Sequence, residues 1–152
     1  MTTLFFDTSA LLKRYVDEPG SDWLRTLIES AQGLLITSTL TRVEAACALA
    51  RRERDGALSP TMRAELWHAF QFDLTYLLHT IKVGPNLLTM AEQLAFRHPL
   101  RAYDAIQLAT AQVANQRLLG RGISGLLFLS ADTRLLEFAR LEGLAVDNPL
   151  AH

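Results

Sequence analysis

The sequence predicts an α/β fold with a mainly parallel central sheet and helices on both faces. Three observations carry this. Short apolar runs recur along the chain, the first three end in a small polar or acidic residue, and segments of helical spacing lie between them. A strand that is apolar on both faces needs cover on both sides, as strands of a parallel sheet have.

Leu4-Phe5-Phe6 reads as the first strand and ends at Asp7. Leu34-Leu35-Ile36 is the second, ending at Thr37-Ser38, and Leu126 to Leu129 is the third, ending at Ser130. Ala145-Val146 reads as the last strand, closed by Pro149. Ser59-Pro60 opens a helix, with serine as the cap and proline at the first helical position. Leu66, Ala69, Phe70, Asp73, Leu74 and Leu77 carry that helix to about Leu78. Pro85 to Arg97 reads as another helix, and Arg101 to Leu118 as a third with Ile106, Ala109, Val113 and Leu118 along one apolar side. A fourth spans Asp132 to Leu141, and Glu142-Gly143 supplies its stop. With no repeat and no linker-like stretch, residues 1–152 are expected to form a single domain.

Composition narrows the class. Hydrophobic residues make up 49% and charged residues 20%, which suits a globular domain rather than a disordered chain. The apolar runs are too short to span a bilayer, and Met1 to Phe6 lacks the basic region of a secretion signal, so a cytoplasmic protein is expected. The lone Cys47 excludes a disulfide framework and a cysteine-based zinc site, and reads as a small buried residue on a helix. Net charge is −1, which argues against a protein that coats nucleic acid but leaves room for an enzyme meeting a short stretch of it.

Four acids fall at one kind of place. Asp7 follows the first strand, Glu44 lies early in the helix after the second, Asp104 opens an amphipathic helix, and Asp132 begins the helix after the third strand. In an open parallel sheet, strand C-termini and the helix N-termini that follow share one rim, where ligands bind. Each acid also has a purely structural reading. Thr41-Arg42-Val43-Glu44 matches a capping box, Asp132 suits an N-cap, and Asp104 suits the positive end of a helix dipole. The conjunction is what needs explaining, because two carboxylates about 5 Å apart repel by roughly 3 kcal/mol at an effective dielectric near 20. Such a group calls for a cation, raised pKa values or arginine partners. Hard divalent ions such as Mg²⁺ or Mn²⁺ take oxygen ligands and can activate water against a phosphodiester. His68, His79, His98 and His152 show no ligand spacing.

The motifs around these acids resemble those of the PIN-domain family. Phe5-Phe6-Asp7-Thr8-Ser9-Ala10-Leu11-Leu12 is similar to its opening motif, an apolar strand running into Asp-x-Ser-x-Leu. Thr39 to Ala46, Arg101 to Ala109 and Leu129 to Leu136 are similar to the second, third and fourth motifs, and Gly143 to Pro149 to the closing strand. The resemblance spans nearly the whole chain, with the motifs in order. It implies a PIN-like, Rossmann-like three-layer sandwich and an acidic pocket holding Mg²⁺ or Mn²⁺. Asp7, Glu44, Asp104 and Asp132 would be its metal ligands and catalytic acids, with Ser9 and Ser130 in support. It further implies cleavage of single-stranded RNA leaving a 5′-phosphate and a 3′-hydroxyl. Chains of this length in the family are most often VapC-type toxins of type II toxin–antitoxin modules, usually homodimers inhibited by an antitoxin. Some members carry a further acid after the fourth. Here the nearby acid is Glu137, which is no clean match, so one tightly held ion is expected, with another recruited by substrate.

Candidate phosphate contacts are Lys13 and Arg14 after Asp7, Arg42 beside Glu44, the Arg51-Arg52-Glu53-Arg54 run, and Arg134 after Asp132. Trp67 and Tyr76 read as core or interface residues, and the helices between Gly56 and Arg97 as a possible dimer or antitoxin surface. A haloacid-dehalogenase-like phosphatase also opens with strand then Asp, but needs a second acid where Ser9 stands. A receiver domain needs a late lysine, and none follows Lys82. The remaining alternative is a PIN fold used as a binding or scaffold module with little catalysis.

Overall fold

A computed structural model describes the whole chain, Met1–His152. Five strands form one sheet: β1 (Leu4–Phe6), β2 (Leu35–Ser38), β3 (His79–Ile81), β4 (Leu127–Leu129) and β5 (Ala145–Asp147). Their order is β3-β2-β1-β4-β5, and every neighbouring pair is parallel. The helices are α1 (Thr8–Leu11), α2 (Ser21–Ser30), α3 (Thr41–Arg54), α4 (Pro60–Tyr76), α5 (Pro85–Arg97), α6 (Ala102–Leu119) and α7 (Thr133–Leu141).

Strand alternation builds the three layers. Leu4, Phe6, Leu35 and Leu129 point to one face, where Leu24 of α2, Leu49 of α3 and Phe70 of α4 cover them. Phe5, Ile36 and Phe128 point to the other, against Leu94 of α5, Leu108 of α6 and Leu135 of α7. Phe5 and Phe128, directly paired in the ladder, stack with ring centroids 5.6 Å apart. Burying a side chain of this size contributes about 2–3 kcal/mol, so the sheet centre anchors both layers.

The order in which strands are added reverses after β3, when the chain returns to the other side of β1. Strands β2 and β3 build outward on one side of it, and β4 and β5 on the other. The C-terminal ends of β1 and β4 therefore form the topological switch point, the crevice where open α/β sheets bind ligands.

Several local signals act as the sequence predicts. Ser59 caps α4 by accepting from the Met62 N–H, with Pro60 in the first turn. Helix α7 ends at Leu141 with Glu142 as its cap; Gly143 follows with a φ of +87° that favours glycine, and Leu144 N–H closes back on the Ala139 carbonyl. Other expectations need correction. Strand β3 does not stand out as an apolar run because it is an edge strand: His79 and Thr80 are exposed, and it pairs only with β2. Cys47 is exposed, because α3 turns Ala45 and Leu49 into the core and the residue between them faces out. Helix α6 is buried through Ala105, Leu108, Ala109 and Ala111, while Ile106 and Val113 are only partly covered. Small side chains let this helix sit close against its neighbours. Trp67 packs partly buried against the core, whereas Tyr76 is 74% exposed beside Phe72.

Candidate active site

Asp7 sits at the end of β1 with 6% of its surface exposed. Its backbone N–H donates to the Leu129 carbonyl, which ties the position to β4. Its side chain caps α1: Oδ1 accepts from Ala10 N–H (3.0 Å) and Ser9 Oγ (2.7 Å). Ser130 Oγ donates to Oδ2 at 2.9 Å. Ser9 also accepts from Ala131 N–H, so the two serines lace the ends of β1 and β4 together. Burial pushes the Asp7 carboxyl up to about 6, against the lowering pull of Ser9, Ala10 N–H and Ser130, and the Glu44 charge adds to the rise.

Glu44 does not form the capping box that its spacing from Thr41 suggests, for α3 starts without a side-chain cap. Its Oε1 accepts from Thr8 Oγ1 (2.8 Å) and Gln107 Nε2 (2.7 Å). Thr41 faces inward, bonded to Thr37 (2.9 Å) and Gln107 (2.9 Å). Thr41 and Glu44 therefore both engage partners from other elements, and neither side chain closes the start of α3.

Asp132 is the N-cap of α7, its Oδ1 accepting from Arg134 N–H (2.9 Å) and Leu135 N–H (3.2 Å). The capping reading is correct for this residue, and it leaves Oδ2 without a protein partner. Asp104 lies in the first turn of α6. Desolvation raises its pKa first, then the charges of Asp132 and Glu44, with Arg101 opposing. Asp104 therefore feels two of the other three acids, as a shared rim requires.

Glu44, Asp104 and Asp132 line one cleft of about 870 Å³, together with Ser9; Asp7 is buried outside the lining and joins it through its bond to Ser9. None of the four acids forms an ion pair with Lys or Arg; the arginines and lysine nearby bind other carboxylates. No three acidic, histidine or cysteine side chains converge tightly enough to grip an ion. The donor chemistry nonetheless fits a hard divalent cation: the groups are all carboxylates, one oxygen each of Glu44 and Asp132 is tethered while the other is free, and Asp7 is buried at a cost that a cation would relieve.

The basic residues divide. Lys13 is 5% exposed and borders the cleft, held by Glu18 at 3.1 Å, while Glu18 also receives Arg52 at 3.1 Å. Arg134 and Arg51 border the cleft as well. Arg14 does not: its Nε donates to Asp73 of α4 at 2.7 Å, and the Tyr15 hydroxyl donates to the same oxygen at 2.8 Å. Arg42 is exposed outside the cleft lining. Glu137 is exposed and also lies outside it. Thr8, Gln107 and Arg101 are site residues that no sequence signal above singles out. A glutamine three residues after Asp104, inside an Ala/Leu-rich helix, was the available signal for Gln107.

Carboxylates gathered at the switch point of a parallel sheet define an α/β protein with an acidic cleft. The chain belongs to the PIN-domain family, whose profile matches residues 4–141. It is 33% identical to Ribonuclease VapC47 of Mycobacterium tuberculosis (strain CDC 1551 / Oshkosh) over 152 residues, 96% of each chain. Among solved structures it resembles FitAcB from Neisseria gonorrhoeae, with a TM-score of 0.66 at 19% identity over 96% of this chain and 97% of that one. It also resembles VapC20 of Mycobacterium tuberculosis, described as a sarcin-ricin loop cleaving toxin, with a TM-score of 0.65 at 17% identity over 93% and 96%. VapBC2 from Rickettsia felis, solved on a DNA fragment from its promoter, gives a TM-score of 0.65 at 12% identity over 97% and 98%. At these identities the structural likenesses establish the fold.

Proposed function

We propose that this chain is a divalent-metal-dependent endoribonuclease that cleaves single-stranded RNA, and the toxin of a type II toxin–antitoxin pair. The observation that carries the reading is the buried Asp7, joined through Ser9 to a cleft rimmed by Glu44, Asp104 and Asp132, with no cation of the protein paired to any of them. The similarity to a VapC ribonuclease across 96% of both chains supports it. Residues 1–152 act as one catalytic domain in this reading, in the cytoplasm, as a homodimer restrained by a cognate antitoxin. No helix is long and apolar enough to cross a membrane.

Asp7, Glu44, Asp104 and Asp132 would hold Mg²⁺ or Mn²⁺. When bound, such an ion supplies charge for the phosphate oxygens and lowers the pKa of a water. The protein's own part is positioning. Ser9 and Ser130 fix both oxygens of Asp7, and the α7 N-terminus fixes Asp132. Lys13, Arg101 and Arg134 border the acids and would hold the RNA phosphates against the cleft. Water adds to phosphorus, the bond from phosphorus to the 3′-oxygen breaks, and that oxygen leaves with the electron pair and takes a proton. The products are a 5′-phosphate and a 3′-hydroxyl.

The test is cleavage of single-stranded and structured RNA by the purified protein in Mg²⁺, Mn²⁺ or EDTA, beside an Asp7→Asn, Asp104→Asn double variant. Metal-dependent cutting that the variant lacks is the expected result. A folded, partner-free protein that cuts nothing across a broad panel would favour the scaffold reading.

A further inference from the structure

Gln107 is buried beside the acids, at 2% exposed, and the two ends of its amide have opposite fates. Nε2 donates to Glu44 Oε1 at 2.7 Å and Thr41 Oγ1 at 2.9 Å, with Thr8 Oγ1 at 3.3 Å. Oε1 is buried with no partner. Exchanging the two amide atoms does not relieve this, because the oxygen would then face a carboxylate oxygen at 2.7 Å, acceptor against acceptor. The orphaned oxygen is thus the consequence of placing a donor on Glu44. A methionine or leucine would fill the same space without burying an unsatisfied polar atom. Packing alone gives no reason for an amide here.

With Thr8 as the second donor, both bonds fall on Glu44 Oε1, and Oε2 has no protein partner. Asp104 and Gln107 lie three residues apart on α6, so one helix face carries an acid at the cleft and an amide one turn deeper. We propose that Gln107 is a positioning residue: through Nε2 it locks Glu44 so that Oε2 is presented to a divalent cation, and the buried, unsatisfied Oε1 is the structural cost of that lock. The inference rests on Glu44 belonging to a metal site, as proposed above. Partners that orient a metal ligand typically change metal affinity 10–100-fold when removed.

The experiment is Mn²⁺ titration by calorimetry on the full chain after EDTA treatment, with melting temperatures recorded metal-free. The wild type is compared with Gln107→Met, which keeps the volume and removes the amide. Mn²⁺ binding at least about 10-fold weaker, with a metal-free Tm equal to or above wild type, is the expected result. A lower Tm with unchanged Mn²⁺ affinity would mean a merely structural role and overturn the proposal. Should Gln107→Met fail to fold, Gln107→Asn carries the test. It keeps the amide but withdraws it by about 1.5 Å, one carbon–carbon bond, and wild-type Mn²⁺ affinity in that variant overturns the positioning role. Absence of Mn²⁺ binding in the wild type overturns the metal reading and this proposal with it. Wild-type binding that Gln107→Met matches overturns this proposal alone.

Discussion

Ser130 and Asp7, separated by 123 positions in the chain, share a hydrogen bond of 2.9 Å because β4 lies beside β1. The serine donates to the carboxylate and so favours its charged form. Ser130→Ala should push the Asp7 pKa higher still. It should cost about 1–2 kcal/mol at pH 8 and less at pH 4.5, where Asp7 is protonated. Urea unfolding at the two pH values checks this, and an equal loss at both would refute it.

Asp7 itself should be a stability liability in the absence of a cation. Its carboxyl rises from the ordinary 3.8 to about 6, chiefly through burial. Ionising it therefore costs the folded state: nothing below about pH 3.8, progressively more between the two values, and fully above about pH 6. The full cost is about 3 kcal/mol. Asp7→Asn in EDTA should thus be more stable than wild type at pH 8, with the advantage vanishing near pH 4. Thermal melts across that range decide it, and a variant less stable at pH 8 would refute the burial argument.

Adding Mn²⁺ should reverse that ranking. A ligand bound only by the folded state stabilises it by about 4.1 kcal/mol at 1,000 times its Kd, more than the cost of burying the Asp7 charge. Wild-type Tm should climb with Mn²⁺ while Asp7→Asn and Asp104→Asn stay near their metal-free values. Identical shifts in all three would remove these acids from the metal site.

Arg14 is expected to matter for folding rather than for RNA. Asp73→Ala would strand its half-buried guanidinium and free the Tyr15 hydroxyl, costing about 2 kcal/mol after allowance for partial exposure. RNA cleavage per folded molecule should not change. A variant of normal stability and weakened RNA binding would return Arg14 to the cleft.

Arg101 and Arg134 border the cleft and Arg42 does not. If they meet phosphates, each Arg→Ala change should lower the slope of log binding against log salt by about 0.7, the value for one single-strand contact. Arg42→Ala should leave the slope unchanged. Filter binding with a non-cleavable single strand measures all three.

The sequence determined the kind of fold and where its chemistry would gather. Leu4-Phe5-Phe6 and Leu126 to Leu129 announce strands covered on both faces, and the acids after them fall at strand ends by covalent necessity. Ser59-Pro60 and Gly143 act through their own backbone geometry, so their effects are local and legible. Tertiary structure alone decided who partners whom. Glu44 leaves its apparent capping box because Thr8 from α1 and Gln107 from α6 converge on it, and Arg14 leaves the cleft because Asp73 of α4 lies within reach. Strand β3 exists by pairing with β2, not by any apolar pattern of its own. Cys47 faces outward because its neighbours Ala45 and Leu49 claim the core. Periodicity and caps depend on neighbours in sequence, whereas a hydrogen-bond partner or an edge strand depends on which elements pack together, and no single segment carries that information.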